Sequence, residues 1–408
     1  MIIARRFAKL LAGIFALGSS IGGCSSGGEA ATDPSAVAPL PDDTFTPLVA
    51  SVATPAIQAV PGTDGKTHVV YELRLSNARA QPATLQRVSV VDAGQTSRVR
   101  AAFEGAALQE RVHSLTNELA GTTIPLDGVR QLLVDLVFDD PATVPTALTH
   151  RFDLQAASID ARVTTPTQQT YLAAPVALDA RAPIVIGPPL MGSGWVAFNG
   201  CCGPNGVHRR TGLPVNGAIH YAQRFAIDWI RMDAQGFTVR GDPGNVRSYT
   251  AYGADVLAVA DAVVVDVLDA LDDQVPPNLP DPATINLRNV DGNHVTLDLG
   301  QGRYAFYAHL QRGSVTVARG QRVARGQVLG KLGNSGNTSA PHLHFHVMDG
   351  PSVLGSSGLP YVIDGFTYAG VVPDALAEND QASWLAARSA TPTQRALQYP
   401  MNQAIIDF

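Results

Sequence analysis

Cysteine is scarce in this chain: three in 408 residues, at positions 24, 201 and 202. If Cys24 is modified, two thiols remain, which excludes a thiolate-rich zinc site. Adjacent cysteines close a strained ring when they pair, so Cys201 and Cys202 are expected not to form a structural disulfide. An excess of positive charge is also lacking. The formal net charge is −6, and the one basic cluster of note is Arg5, Arg6 and Lys9, which argues against a nucleic-acid partner. The apolar run from Leu10 to Leu17 is too short for a transmembrane helix. Long helices have little room in residues 190–372.

What is present begins with a charged start, an apolar middle and small residues before Cys24, the layout of a secretory signal over residues 1–23. Ile21-Gly22-Gly23-Cys24 resembles a bacterial lipobox. That resemblance implies cleavage before Cys24 and a lipid anchor on its thiol. Ser25 carries no acidic retention signal, so the expected location is the cell envelope, on the outer membrane facing the periplasm. Residues 24–46, rich in Gly, Ala, Ser, Pro and Asp, read as a flexible tether.

Residues 47–186 read as short strands between turns. In His68 to Leu75, Val69, Tyr71, Leu73 and Leu75 fall on one face and Glu72 and Arg74 on the other. Ala83 to Val91, Gln131 to Phe138 and His150 to Ala156 are comparable, and Gly62-Thr63-Asp64-Gly65 is a turn. The spacing predicts an immunoglobulin-like β-sandwich with a spacing or binding role. His68, His113 and His150 are expected to be structural or solvated there. Ile186-Gly187-Pro188-Pro189 marks a boundary. Residues 190–372 are again β-rich, with alternation in Arg224 to Trp229 and paired strands at Asn293 to Leu299 and Tyr304 to Tyr307. The fold class is therefore all-β, a sandwich followed by an antiparallel sheet with long loops. Asp374 to Arg388 is compatible with an amphipathic helix, and residues 373–408 read as a C-terminal tail without an assigned role.

The chemistry concentrates in Pro341-His342-Leu343-His344-Phe345-His346-Val347. Alternate side chains of a strand share one face, so this segment presents a row of imidazoles. Neutral imidazole is the commonest metal ligand and a general base near neutral pH. A hydrolytic zinc site needs three protein ligands and an open position for water. Asp228 lies within the apolar strand Phe225 to Trp229, where a lone carboxylate is costly unless paired or bound to a cation. His309 follows the apolar strand Tyr304 to Tyr307.

Together with Val256-Leu257-Ala258-Val259-Ala260-Asp261, Tyr307-Ala308-His309-Leu310, Gly326-Gln327-Val328-Leu329-Gly330 and Gly333-Asn334-Ser335-Gly336, these blocks resemble the lysostaphin/LytM-type zinc metallopeptidases over about residues 195–370. The resemblance implies a zinc endopeptidase acting on peptide cross-links of bacterial peptidoglycan. It implies Asp228 and His344 as zinc ligands and His309 and His342 as the catalytic pair; His346 falls where the family varies and, sharing the strand face, has at most a supporting role. The departure is the first ligand. The family pattern has a histidine four residues before the aspartate, where this chain has Arg224, a side chain that is never a ligand. His208 and His220 are the substitutes. If residues 220 to 228 formed one strand, His220 would stand roughly 26 Å from Asp228. His208 precedes Thr211 to Gly217, a stretch with Gly, Pro and Asn-Gly turn signals that can fold back, and it resembles a subgroup with a lengthened first-ligand loop. His208 is the preferred ligand and His220 the alternative.

Two other readings compete. A catalytically silent regulator of other cell-wall hydrolases is compatible with the displaced first ligand, but such members usually lose zinc ligands. The Gly-x-x-Val/Leu units at Gly320 and Gly326 resemble lipoyl and biotinyl carrier sheets, but no exposed lysine sits at a carrier-type hairpin tip. The groove is expected to be lined by the loop from Asp272 to Asp281.

Overall fold

The computed structural model describes residues 43–408 except 55, 117, 159–161, 164, 211 and 380. The signal segment 1–23, Cys24 and the tether as far as residue 42 lie outside the described residues. Phe45–Phe408 forms one compact unit.

Alternating sequence builds the first half. Its strands are β1 (Leu48–Val52), β2 (Ala59–Pro61), β3 (Thr67–Asn77), β4 (Ala83–Asp92), β5 (Gln95–Glu104), β6 (Val112–His113), β7 (Thr123–Ile124), β8 (Val129–Phe138), β9 (Ala147–Ala156) and β10 (Thr167–Ala177). They form two five-stranded sheets, β1-β3-β8-β6 with β2 beside β3, and β10-β9-β4-β5 with β7 beside β4. Val69, Tyr71 and Leu73 of β3 pack with Val88 and Val90 of β4 and Phe152 of β9, so the two sheets share one core. The three histidines here are all partnered. His68 sits between Asp64 and Asp135, His113 faces the Glu110 carbonyl, and His150 faces the Tyr71 hydroxyl.

The second face of β3 departs from expectation. Arg74 is exposed, but Glu72 is fully buried and Val70 belongs to the core of the following half. Alternation predicts solvent on that face only if nothing else covers it. Here the second half of the chain does.

That half contains β11 (Ile184–Ile186), β12 (Trp195–Phe198), β13 (Gly212–Val215), β14 (Ala218–Tyr221), β15 (Ile227–Arg231), β16 (Asp255–Leu257), β17 (Ala262–Leu268), β18 (Asn293–Gly300) and β19 (Arg303–Leu310). It continues with β20 (Arg322–Val323), β21 (Val328–Lys331), β22 (Leu343–Met348), β23 (Gly358–Leu359), β24 (Tyr361–Ile363), β25 (Phe366–Val371), β26 (Arg388–Arg395) and β27 (Ala404–Asp407). The main sheet has eleven strands in the order β20-β17-β18-β19-β22-β15-β12-β27-β25-β26, with β23 beside β22. The all-β class is as the sequence implies.

Two local expectations are corrected. Among the described residues of Asp374 to Arg388, only Asp374–Ala377 is α-helical. Residues 373–408 are no tail: β27 lies inside the main sheet, between β12 and β25. Its adjacent isoleucines explain why. Ile406 enters the core on one face of the sheet and Ile405 the cluster on the other. A third correction concerns Cys201 and Cys202. Their sulfurs are bonded, and both residues are buried. The expectation that these adjacent cysteines stay unpaired is therefore not met.

Candidate metal centre

Three neighbouring strands, β19, β22 and β15, bring distant residues into one row. Asp228 of β15 lies opposite His344 of β22, and Ala308 of β19 lies opposite His344 on its other side. His309 reaches the same row through a bulge. Asn293 pairs Leu310 while Val295 pairs Tyr307, so Ala308 and His309 together oppose His294. A bulge re-aims a side chain. His309 carries it with a left-handed φ of 62°, a conformation that non-glycine residues adopt only when the surroundings hold it. Those surroundings are identifiable. The His309 N–H donates to the Asp291 carbonyl, and its Nδ1–H donates to the Ser335 carbonyl at 2.8 Å. Ser335 can come so near because Gly292 lacks a side chain; a Cβ there would lie 2.1 Å from the Ser335 oxygen.

His208 arrives from outside the sheet. The hairpin β13–β14 turns the chain between His208 and Asp228. His208 Nδ1–H faces the carbonyls of Asn199 and Ala226, which points Nε2 at Asp228 Oδ2, 3.3 Å away. His220 stays in β14 opposite Leu213 and is not part of the cluster. Arg224 is buried and bonds the Gly358 and Val70 carbonyls, as a non-ligand must. The ligand atoms of His208, Asp228 and His344 all lie within 4.8 Å of one another. Two imidazoles and one carboxylate, converging and buried, are a donor set that fits a zinc ion with one open position.

The remaining expected residues flank this triad. His342 immediately precedes β22, with Nε2 3.4 Å from Asp228 Oδ1, and its Nδ1–H donates to the Ala340 carbonyl at 2.7 Å. The rings of His309 and His342 are 4.7 Å apart. His346 sits behind the site, with Nδ1 3.1 Å from His344 Nε2. Sequence reasoning missed Asn199, whose Nδ2 donates to Asp228 Oδ2 at 2.8 Å. An asparagine in a Gly-rich loop carries no spacing signal that could have found it. It also missed Asp291, a buried carboxyl lining the same cleft.

Burial and neighbours set the charges. Burial alone would raise the Asp228 carboxyl, but His208 and His342 outweigh it and hold it well below the usual range. Burial together with His342 and His344 pushes His309 well below the usual imidazole value, so it is neutral. Burial likewise keeps His346 neutral. Asp291 is pushed up to about 7 by burial. The cleft holds about 670 Å³ and is floored by His208, Asp228, His309, His342 and His344. Tyr249 and Leu279 line it, and so do Glu378 and Trp384 from the segment expected to be a tail. A second trio, His68, Asp135 and Cys202, also converges, but the Cys202 sulfur is bonded to Cys201 and offers no thiolate.

Residues 246–354 match the model of Peptidase family M23. The M23 match includes His309, His342 and His344 and begins after His208 and Asp228. A stretch of 57 residues is 39% identical to the Peptidoglycan DD-endopeptidase ShyA of Vibrio cholerae serotype O1. It covers 14% of this chain and 13% of that protein, so the chain spans only a small part of that relative's length. Among solved structures, the catalytic domain of lysostaphin from Staphylococcus simulans is similar at 21% identity, over 41% of this chain and 86% of that one, with a TM-score of 0.22. The M23 metalloprotease pseudoalterin is similar at 15% identity, over 42% and 72%, with a TM-score of 0.23.

Proposed function

We propose that this chain is a zinc-dependent endopeptidase that hydrolyses peptide cross-links of bacterial peptidoglycan. One observation carries the reading: His208, Asp228 and His344 converge in the cleft that also holds His309 and His342. His208 Nε2, an Asp228 oxygen and His344 Nδ1 would hold the metal. A Zn²⁺ ion there supplies Lewis acidity toward a peptide carbonyl and acidifies water.

The chain's own groups supply the rest. His309 and His342 each spend Nδ1–H on a backbone carbonyl, Ser335 and Ala340 respectively, which fixes each ring and frees each Nε2. One ring, neutral, accepts the proton of the attacking water at Nε2. The other, protonated on both nitrogens, donates its Nε2–H to the developing oxyanion, and the proton taken from water then passes to the leaving amine. Asn199 orients Asp228, and His346 orients His344 from behind. The cleft walls at Tyr249, Leu279 and Trp384 hold the peptide. Lipid attachment at Cys24 and residence in the outer membrane complete the proposal.

Two measurements test it. Purified protein should contain one zinc per chain. It should release cross-link fragments from purified sacculi, identified by mass spectrometry, and lose that activity to a chelator. Activity that persists after verified removal of zinc sinks the reading. A chain without stoichiometric zinc would instead support the silent regulator.

A further inference from the structure

The first ligand is the least secured part of the site. His208 stands on a long loop rather than on the sheet that carries Asp228 and His344, and it is twenty positions before Asp228. A ligand so placed needs its own support. The structure supplies that support from the sandwich. Arg209, next to His208, is 2% exposed. Its guanidinium donates to the carbonyls of Tyr71 and Val134 and to Glu72 Oε1 at 3.3 Å, all in the sandwich, and to the Cys202 carbonyl. Arg224, just after β14, puts Nη1 3.5 Å from Glu72 Oε2 and bonds the Val70 carbonyl. The two feet of the ligand loop therefore stand on one carboxylate, one on each oxygen. Glu72 is itself fully buried, and Thr54 donates to it.

We infer that Glu72 is a positioning residue for the metal centre: the N-terminal sandwich holds the His208 loop in ligating geometry through Arg209 and Arg224. This rests on the metal-centre reading above. The sandwich is then part of the catalytic frame and not a spacer. Position 224, where the family pattern has a ligand, has become the second anchor of the loop that carries its replacement. Removing the Glu72 charge leaves two buried guanidinium groups facing each other without an anion. The cheapest relief is movement of the loop, which carries His208 away from Asp228.

The test uses the full chain. Zinc affinity is measured by competition with a chromophoric chelator, and ligand geometry by the visible spectrum of the Co²⁺-substituted protein. Glu72→Gln is compared with Val69→Ala, which faces the sandwich core and costs stability without touching the loop. Glu72→Gln should bind zinc about 10–100-fold more weakly than wild type and change the Co²⁺ spectrum. Val69→Ala should match wild type in both. If Glu72→Gln does not fold, Arg209→Lys replaces it; it keeps the charge, loses the fork and should show the same loss. Zinc affinity of Glu72→Gln or Arg209→Lys within twofold of wild type, with an unchanged Co²⁺ spectrum, overturns the inference while leaving the metal centre standing. A wild-type chain that binds no zinc overturns both.

Discussion

Asp228 has four nitrogen neighbours: Asn199 Nδ2 at 2.8 Å, His344 Nδ1 at 2.9 Å, His208 Nε2 at 3.3 Å and His342 Nε2 at 3.4 Å. Such a carboxylate orients the whole centre, and its neighbours differ in what they would cost. Asp228→Ala or His344→Ala should abolish stoichiometric zinc and activity together, as metal analysis would show. His342→Ala should retain zinc and lose about 10²–10⁴-fold in turnover, because under the proposed function it removes proton handling but no ligand. Asn199→Ala should weaken zinc binding about 10-fold with the ligands intact, measurable by chelator competition. His342, His344 and His346 are legible in the sequence because their spacing is that of a strand. His208 is less so, since a loop leaves no periodic trace, and Asn199 is not legible at all.

At the scale of the element, the bulge in β19 is the device that turns His309 into the site. It depends on contact between the turn Gly333–Gly336 and the segment Asp291–Asn293. Gly292 has a φ of 71°, and a Cβ there would meet the Ser335 carbonyl. Gly292→Ala should therefore destabilise the protein by about 2–3 kcal/mol, read as a lower urea midpoint. It should also reduce turnover more than zinc affinity, because Ser335 holds His309 while the three proposed ligands stand elsewhere. Strand sequence shows where β18 and β19 run. It does not show a one-residue offset between them, because register is a property of the pair.

For the whole molecule, the C-terminus and the sandwich are built into the second half. β27 is an interior strand, so deleting residues 400–408 should abolish cooperative folding, seen as loss of a sharp thermal transition. Burial works against the charged form of His68, yet the flanking carboxylates of Asp135 and Asp64 raise it to about 9. Its unfolded value is about 6.5. The protonated form is thus favoured by folding. That stabilisation is complete below about pH 6.5 and is lost as pH rises through 9. Unfolding free energy should fall by on the order of 2 kcal/mol between pH 6.5 and 9.5, and His68→Gln should flatten that slope in denaturant titrations.

The sequence by itself determined the all-β class and the alternating strands, and it put His342, His344 and His346 at the alternate spacing of one strand face, because these follow from local periodicity. That Asp228, His309, His342 and His344 form one set came from the resemblance of their blocks to the lysostaphin/LytM-type pattern, since each alone is a weak signal. Only the tertiary structure decided that His208 and not His220 joins Asp228, that residues 404–407 close the sheet, and that Glu72 is buried. Those outcomes depend on what packs against a face from far along the chain. The alternation of β3 marks Glu72 as facing away from the sandwich core; only the packed molecule shows Arg209 and Arg224 waiting there.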